Sequence, residues 1–128
     1  MPCILVVDDD TNNQRVLSYS LRKAGYSVLV ASNGEMGFET LSSSSVDLAI
    51  LDISMPILDG ISLLRKIRAE THLSTLPVII LTAGGDDHEI AVAEQLGIAG
   101  FLTKPSSSRV MLDTVSHALG LSGDSEPS

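Results

Sequence analysis

The sequence predicts a single α/β domain in which helices cover both faces of a doubly wound, five-stranded parallel sheet. The chain has 128 residues, a length that suits one domain and leaves no room for a second. It contains five short apolar runs that are continuous rather than alternating, as is typical of strands buried on both faces. Segments with helical periodicity fill the gaps between these runs. Right-handed crossovers turn such an alternation into a parallel sheet.

The strands are predicted from the apolar runs alone. Four runs are strongly apolar, and a fifth is weaker because it begins with glycine and ends with threonine. They occupy residues 4–7, 28–31, 48–51, 78–81 and 100–103.

The helices are predicted from apolar periodicity and from their end signals. The first begins with a capping box from Thr11 to Gln14, in which Thr11 is the cap, and it ends at Gly25. The second turns Phe38 and Leu41 inward. This second helix covers about residues 34–41, and the remaining three cover about 60–69, 87–96 and 108–119. We therefore assign residues 1–121 to the domain and residues 122–128 to a flexible tail or the start of a linker.

Composition excludes several classes of function. Hydrophobic residues make up 44% and charged residues 19%, which is a globular composition. The net charge of −8 argues against binding nucleic acid or an anionic membrane through bulk charge. No apolar run approaches the ~20 residues of a membrane helix, and no signal peptide is visible, so we expect a cytoplasmic protein. The single cysteine, Cys3, excludes an internal disulfide.

Polar side chains follow four of the predicted strands, at the edge where parallel sheets bind ligands. Asp8 and Asp9 follow the first strand, and Asp52 follows the third. Thr82 and Lys104 follow the fourth and fifth strands. If the first and third strands are neighbours, the three aspartates converge at one point.

This set of side chains is suited to handling phosphoryl groups. Three converging carboxylates repel one another unless a cation lies among them, and oxygen ligands with open positions suit Mg²⁺. The cation and Lys104 would neutralise a transferred phosphoryl group, Thr82 would donate to it, and a free carboxylate would be the nucleophile. Plainer interpretations remain for each residue: Asp10 as a helix cap, Lys104 as a salt-bridge partner, and Thr82 as an ordinary strand residue.

Four motifs, in order along the chain, resemble the response-regulator receiver domain, the CheY-like family of two-component signalling. The resemblance spans residues 3–119 and implies a flavodoxin-like strand order, 2-1-3-4-5. It implies a phosphorelay switch that catalyses only its own phosphorylation and dephosphorylation. The motifs are Val6-Val7-Asp8-Asp9, Leu51-Asp52-Ile53-Ser54-Met55-Pro56 with Asp59-Gly60, Leu81-Thr82-Ala83 and Phe101-Leu102-Thr103-Lys104-Pro105.

The resemblance also implies a role for each site residue. Asp52 matches the position that accepts phosphate from a histidine kinase or a phosphotransfer protein. Asp8 and Asp9 match the acidic pair that binds Mg²⁺ together with Asp52. Thr82 matches the hydroxyl residue that follows the phosphoryl group, and Lys104 matches the lysine of the site.

Further implied roles concern the metal, the backbone and the partners. Ser54 would add its backbone carbonyl to the metal, and Pro105 would follow a cis peptide bond. Phe101 matches an aromatic switch position. An output domain, a downstream protein or a second copy of the chain would dock on the fourth helix, fifth strand and fifth helix. We expect Ile90 near this exposed surface, with ordinary core packing as the alternative.

Three other functions were weighed. One is a receiver-like interaction module that works without phosphorylation. Another is a haloacid-dehalogenase-type phosphatase, which uses a similar acidic motif but usually has Gly-Thr where this chain has Thr11-Asn12. A flavodoxin would need a phosphate-binding loop after the first strand, where three aspartates would repel phosphate.

Overall fold

The sheet has five parallel strands in the order β2-β1-β3-β4-β5, which confirms the predicted topology. The computed structural model describes residues 2–53, 59–85, 87–104 and 107–120. Each predicted strand is present, with its bounds shifted by no more than one residue. The strands are β1 (Cys3–Val7), β2 (Ser27–Ala31), β3 (Leu48–Asp52), β4 (Val78–Thr82) and β5 (Gly100–Thr103).

The described helices alternate with the strands and cover both faces of the sheet. A short 3-10 helix, Thr71–Leu73, precedes β4. The α-helices are α1 (Thr11–Lys23), α2 (Gly34–Ser43), α3 (Gly60–Ala69), α4 (Asp87–Leu96) and α5 (Ser108–Ala118). None of these helices is long and apolar enough to cross a membrane.

The core consists of two apolar clusters, one on each face of the sheet. On one face, Ile4 and Val6 of β1 pack against residues of α1 and α5 such as Leu21 and Val115. On the other face, the alternate residues of β1 join a cluster with α2, α3 and α4. Strands β3 and β4 are buried along their whole length. Burial on both faces explains why the strands are continuously apolar.

The cap of α1 differs from the prediction. Thr11 was expected to cap the helix, but Thr11 is the first helical residue and Asp10 is the cap. The backbone of Asp10 is extended, and its carboxylate accepts hydrogen bonds from the N–H groups of Asn12 at 3.0 Å and Asn13 at 3.3 Å. Asp10 therefore has the structural role that the plainer interpretation gave it.

Ile90 of α4 lies at the border between the core and the surface. Its side chain is half-buried and packs against the core cluster that α2, α3 and α4 share. Ordinary core packing therefore describes part of this side chain, and its place near a partner-binding surface stays a prediction. Phe38 packs against the same cluster and Leu41 is buried in it, as predicted, although α2 continues to Ser43.

Candidate functional site

The carboxyl ends of β1 and β3 bring the three aspartates together. The two strands are neighbours, and Val7 pairs with Leu51, so Asp8 and Asp52 follow at adjacent positions. One carboxylate oxygen from each of Asp8, Asp9 and Asp52 lies within 4.8 Å of the others. The convergence expected from the ends of the strands is therefore present.

The three carboxylates differ in their access to water. Asp8 is fully buried and Asp52 is 4% exposed, whereas Asp9 is exposed. Two negative charges are thus held inside the protein, and the third lies at the opening. A cation that approaches from solvent would first meet Asp9.

Lys104 lies between the two buried carboxylates. Its Nζ atom is 2.9 Å from Oδ2 of Asp52 and 3.2 Å from Oδ2 of Asp8. Its backbone N–H donates to the Thr82 carbonyl at 2.7 Å, which extends the pairing of β5 with β4 and fixes where the side chain starts. Burial alone would lower the pKa of Lys104, but the hydrogen bonds and charges of Asp52 and Asp8 outweigh it, so the pKa is raised.

The raised pKa of Lys104 predicts how stability depends on pH. The stabilisation is fully present below the unfolded-state pKa of about 10.4, and it is lost as the pH rises through the higher folded-state pKa. Denaturant unfolding at about pH 8 and about pH 11 should therefore show a loss at the higher pH. A Lys104→Met variant lacks this titration and should lose less over the same interval. Equal losses in both proteins would contradict the assignment.

Asp8 is held by the first turn of α1. The backbone N–H of Asp10 donates to Oδ1 of Asp8 at 2.9 Å, and the Asn13 side-chain amide donates to Oδ2. The Gln14 amide donates to the backbone carbonyl of Asp8 and to that of Ala31 at 3.2 Å. The sequence predicts Gln14 as a capping-box residue, whereas its amide bonds the Asp8 and Ala31 carbonyls, and the sequence gives Asn13 no role at the site. Their position directly after the acidic run was the available signal, because the first turn of that helix faces the ends of the strands.

Thr82 ends β4 and is buried at 1% exposure. Its hydroxyl accepts a hydrogen bond from the backbone N–H of Gly84 at 3.1 Å. Gly84 and Gly85 have φ angles of +99° and +79°, which L side chains rarely adopt. The hydroxyl at the site is thus linked directly to the glycine loop before α4.

The other predicted site residues fall in two groups. Phe101 lies on β5 with 46% of its side chain exposed, at the edge strand of the sheet. Ser54 and Pro105 lie outside the described residues, so the metal-binding carbonyl and the cis peptide bond remain predictions.

Gly60 begins α3 directly against the end of β3. A Cβ atom at this position would lie 2.4 Å from the backbone oxygen of Asp52 and 2.8 Å from Cα of Ile53. The Gly60 N–H donates to the Ile53 carbonyl at 3.3 Å. Only glycine allows α3 to approach the main chain of Asp52 so closely.

The donor set at this edge suits a hard divalent cation. Three carboxylates and one ammonium group leave two net negative charges, and the acidic, histidine and cysteine side chains of the described residues bring only carboxylate oxygens together here. Oxygen ligands with one exposed member leave room for retained water, which Mg²⁺ prefers. The residues present therefore fit this ion.

Comparisons with known proteins agree with this geometry. The family model for the response regulator receiver domain matches residues 4–116. The chain is 34% identical to the chemotaxis protein CheY of Pseudomonas aeruginosa, over 88% of this chain and 91% of that protein. It is 35% identical to the transcriptional regulatory protein AfsQ1 of Streptomyces coelicolor, over 87% of this chain and 48% of that protein. The chain thus spans about half the length of that regulator.

A solved structure gives the same result for the fold. The crystal structure of a putative response regulator from Chloroflexus aurantiacus superposes with a TM-score of 0.88 at 31% identity, covering 94% of this chain and 99% of that chain. Because the family match covers most of the sequence and the strand order agrees with it, the chain belongs to the response regulator receiver domain family.

Proposed function

We propose that this receiver domain is a phosphoacceptor switch in which Asp52 takes a phosphoryl group from a histidine kinase or a phosphotransfer protein. A carboxylate oxygen of Asp52 forms the new bond to phosphorus, and the bond from phosphorus to the donor histidine nitrogen breaks. The nitrogen keeps the electron pair. The observation that carries the proposal is the buried Asp52 carboxylate, which lies 2.9 Å from Lys104 and beside the carboxylates of Asp8 and Asp9.

Each site residue has a role in this transfer. Asp8, Asp9 and Asp52 would hold Mg²⁺, with the Ser54 carbonyl as a further predicted ligand. The ion, when bound, neutralises charge on the phosphoryl oxygens. Lys104 orients Asp52 and adds positive charge beside the acceptor. The Thr82 hydroxyl donates to a phosphoryl oxygen, a strong charge-assisted hydrogen bond.

The signal would leave the site through Thr82. The Thr82 hydroxyl now accepts a hydrogen bond from the Gly84 N–H. When the hydroxyl turns toward the phosphoryl group, this bond breaks and the loop with Gly84 and Gly85 moves. Phe101, now exposed, would turn inward into the space that Thr82 vacates. An output domain, a downstream protein or a second copy would then recognise α4, β5 and α5. In this proposal the domain works in the cytoplasm and is not a conventional enzyme.

The proposal is tested by offering the wild-type protein acetyl phosphate with and without Mg²⁺. Intact-protein mass spectrometry should detect one added phosphoryl group only when the ion is present. A chelator added before the donor is the control. Failure of the folded protein to accept phosphate from acetyl phosphate or a cognate kinase would favour an interaction module that works without phosphorylation.

Mg²⁺ should also stabilise the folded protein. An ion that binds only the folded state adds stability, and here it also relieves the repulsion among the three carboxylates. The expected gain is about 2.7 kcal/mol when the ion is at 100 times its dissociation constant. Thermal unfolding should be followed against MgCl₂, with NaCl at matched ionic strength as the control. Equal rises in both salts would show general screening instead of a site.

A further inference from the structure

Asn13 contacts the site through the carboxylate of Asp8. It is the third residue of α1, and its half-buried side chain donates a hydrogen bond from Nδ2 to Oδ2 of Asp8. Because Asp8 is fully buried, its carboxylate is oriented by protein groups. Among the described residues, these groups are the Asn13 amide, the Asp10 N–H on Oδ1 and the Lys104 ammonium.

We propose that Asn13 is a positioning residue that sets the affinity of the site for Mg²⁺ by holding the Asp8 carboxylate. This inference rests on the proposed function, which places the ion among Asp8, Asp9 and Asp52. Hydrogen bonds from outer residues fix the orientation of a ligand group, and their loss weakens metal binding. Asn13 is uncharged, so it orients Asp8 without cancelling the negative charge that attracts the ion.

The placement of Lys104 supports the same role. Its Nζ atom lies 2.9 Å from Asp52 but 3.2 and 3.4 Å from the two oxygens of Asp8. Oδ2 of Asp8 accepts a hydrogen bond from the Asn13 amide and forms an ion pair with Lys104, whose hydrogen bond to Asp8 goes to Oδ1. Without the amide, Oδ2 would depend more on Lys104, which would draw the ammonium from Asp52 toward Asp8. Asn13 thus keeps the cation of the site near the proposed phosphoacceptor.

The hydrogen bonds of Gln14 hold the main chain after β1 without help from Asn13. The Gln14 amide already ties the main chain of Asp8 to Ala31 at the end of β2. The Asp10 cap holds the start of α1 independently. Loss of the Asn13 side chain should therefore free the carboxylate of Asp8 while the backbone around it stays in place.

The test compares variants of two neighbouring asparagines. Asn13→Ala and Asn13→Leu both remove the donor but differ in volume, and Asn12→Ala is the matched control because Asn12 is exposed on the same helical turn. Mg²⁺ affinity is measured from the shifts of backbone amide signals. We expect both Asn13 variants to bind Mg²⁺ about tenfold more weakly than wild type, and the control to bind as wild type does.

Unfolding of the ion-free proteins distinguishes positioning from a structural role. A merely structural role would lower the unfolding free energy and leave the Mg²⁺ affinity of the folded protein unchanged, which would overturn the inference. Unchanged affinity in the Asn13 variants, with wild type binding normally, would overturn the inference and leave the proposed function intact. Absence of Mg²⁺ binding by wild type would overturn both.

Discussion

Replacing Asp52 by alanine is expected to abolish Mg²⁺-dependent labelling by acetyl phosphate. The variant lacks the only nucleophilic atom that the proposed transfer uses, while Lys104 keeps its ion pair with Asp8. Loss of one of three crowded carboxylates also relieves repulsion, so we expect the fold to persist. Phosphate incorporation is measured by intact-protein mass spectrometry beside circular dichroism of the same sample.

The matched control is Asp10→Ala, which removes another aspartate, from the acidic run that follows β1. Asp10 caps α1 and lies outside the set of converging carboxylates, so its loss should cost about 1 kcal/mol of stability and leave most of the labelling. Equal labelling of wild type and Asp52→Ala would show that Asp52 is not the phosphoacceptor. Loss of labelling in Asp10→Ala, with labelling retained in Asp52→Ala, would instead assign the nucleophile to Asp10.

A Gly60→Ala variant is expected to lose about 3 kcal/mol of unfolding free energy or more, because the added methyl group overlaps the main chain. The overlapping atoms are the backbone oxygen of Asp52 at 2.4 Å and Cα of Ile53 at 2.8 Å. Neither can move unless the end of β3 or the start of α3 is displaced. We therefore also expect weaker phosphate acceptance, since the main chain that carries Asp52 must shift.

Gly37→Ala serves as the control for this change. Gly37 also lies in a helix, and its added Cβ would meet a methyl group of the Val7 side chain at 2.9 Å. A side chain adjusts more easily than a main chain, and alanine gains up to about 1 kcal/mol of helix propensity over glycine. Urea unfolding should show a clearly smaller loss for Gly37→Ala. Equal losses would mean that the close approach at Gly60 is not what destabilises the protein.

Much of the fold could be predicted from the sequence because strands that are buried on both faces are continuously apolar. The apolar runs at 48–51 and 78–81 locate β3 and β4 to within a residue, since a strand that two helical layers cover is apolar up to its carboxyl end, where Asp52 and Thr82 lie. The polar side chains that follow the strands then locate Asp8 and Asp52 at one edge. Both predictions depend on where apolar runs end and polar residues begin along the chain, which a single sequence displays.

Other features depend on local geometry that the sequence does not display. Asp10 and Thr11 are both good cap residues, and only the extended backbone of Asp10 decides between them. Asn13 is polar on an amphipathic helix, where such residues usually face water, yet its amide turns to Asp8. The apolar residues at 90–93 are too many for one buried face, but the sequence does not say which of them is buried, and Ile90 is half-buried against the core.

The charges of the site constrain how a signal can spread from it. A divalent ion would make the group of Asp8, Asp9, Asp52 and Lys104 electroneutral, and phosphorylation of Asp52 would then add roughly one negative charge. The chain already carries a net charge of −8, and salt screens exposed charges within about 8 Å. In the proposed switch, a partner that docks farther than this from the site across solvent would sense only a weakened change in electric field. The proposed switch would then distinguish its two states mainly by displaced contacts, beginning with the hydrogen bond between the Gly84 N–H and the Thr82 hydroxyl.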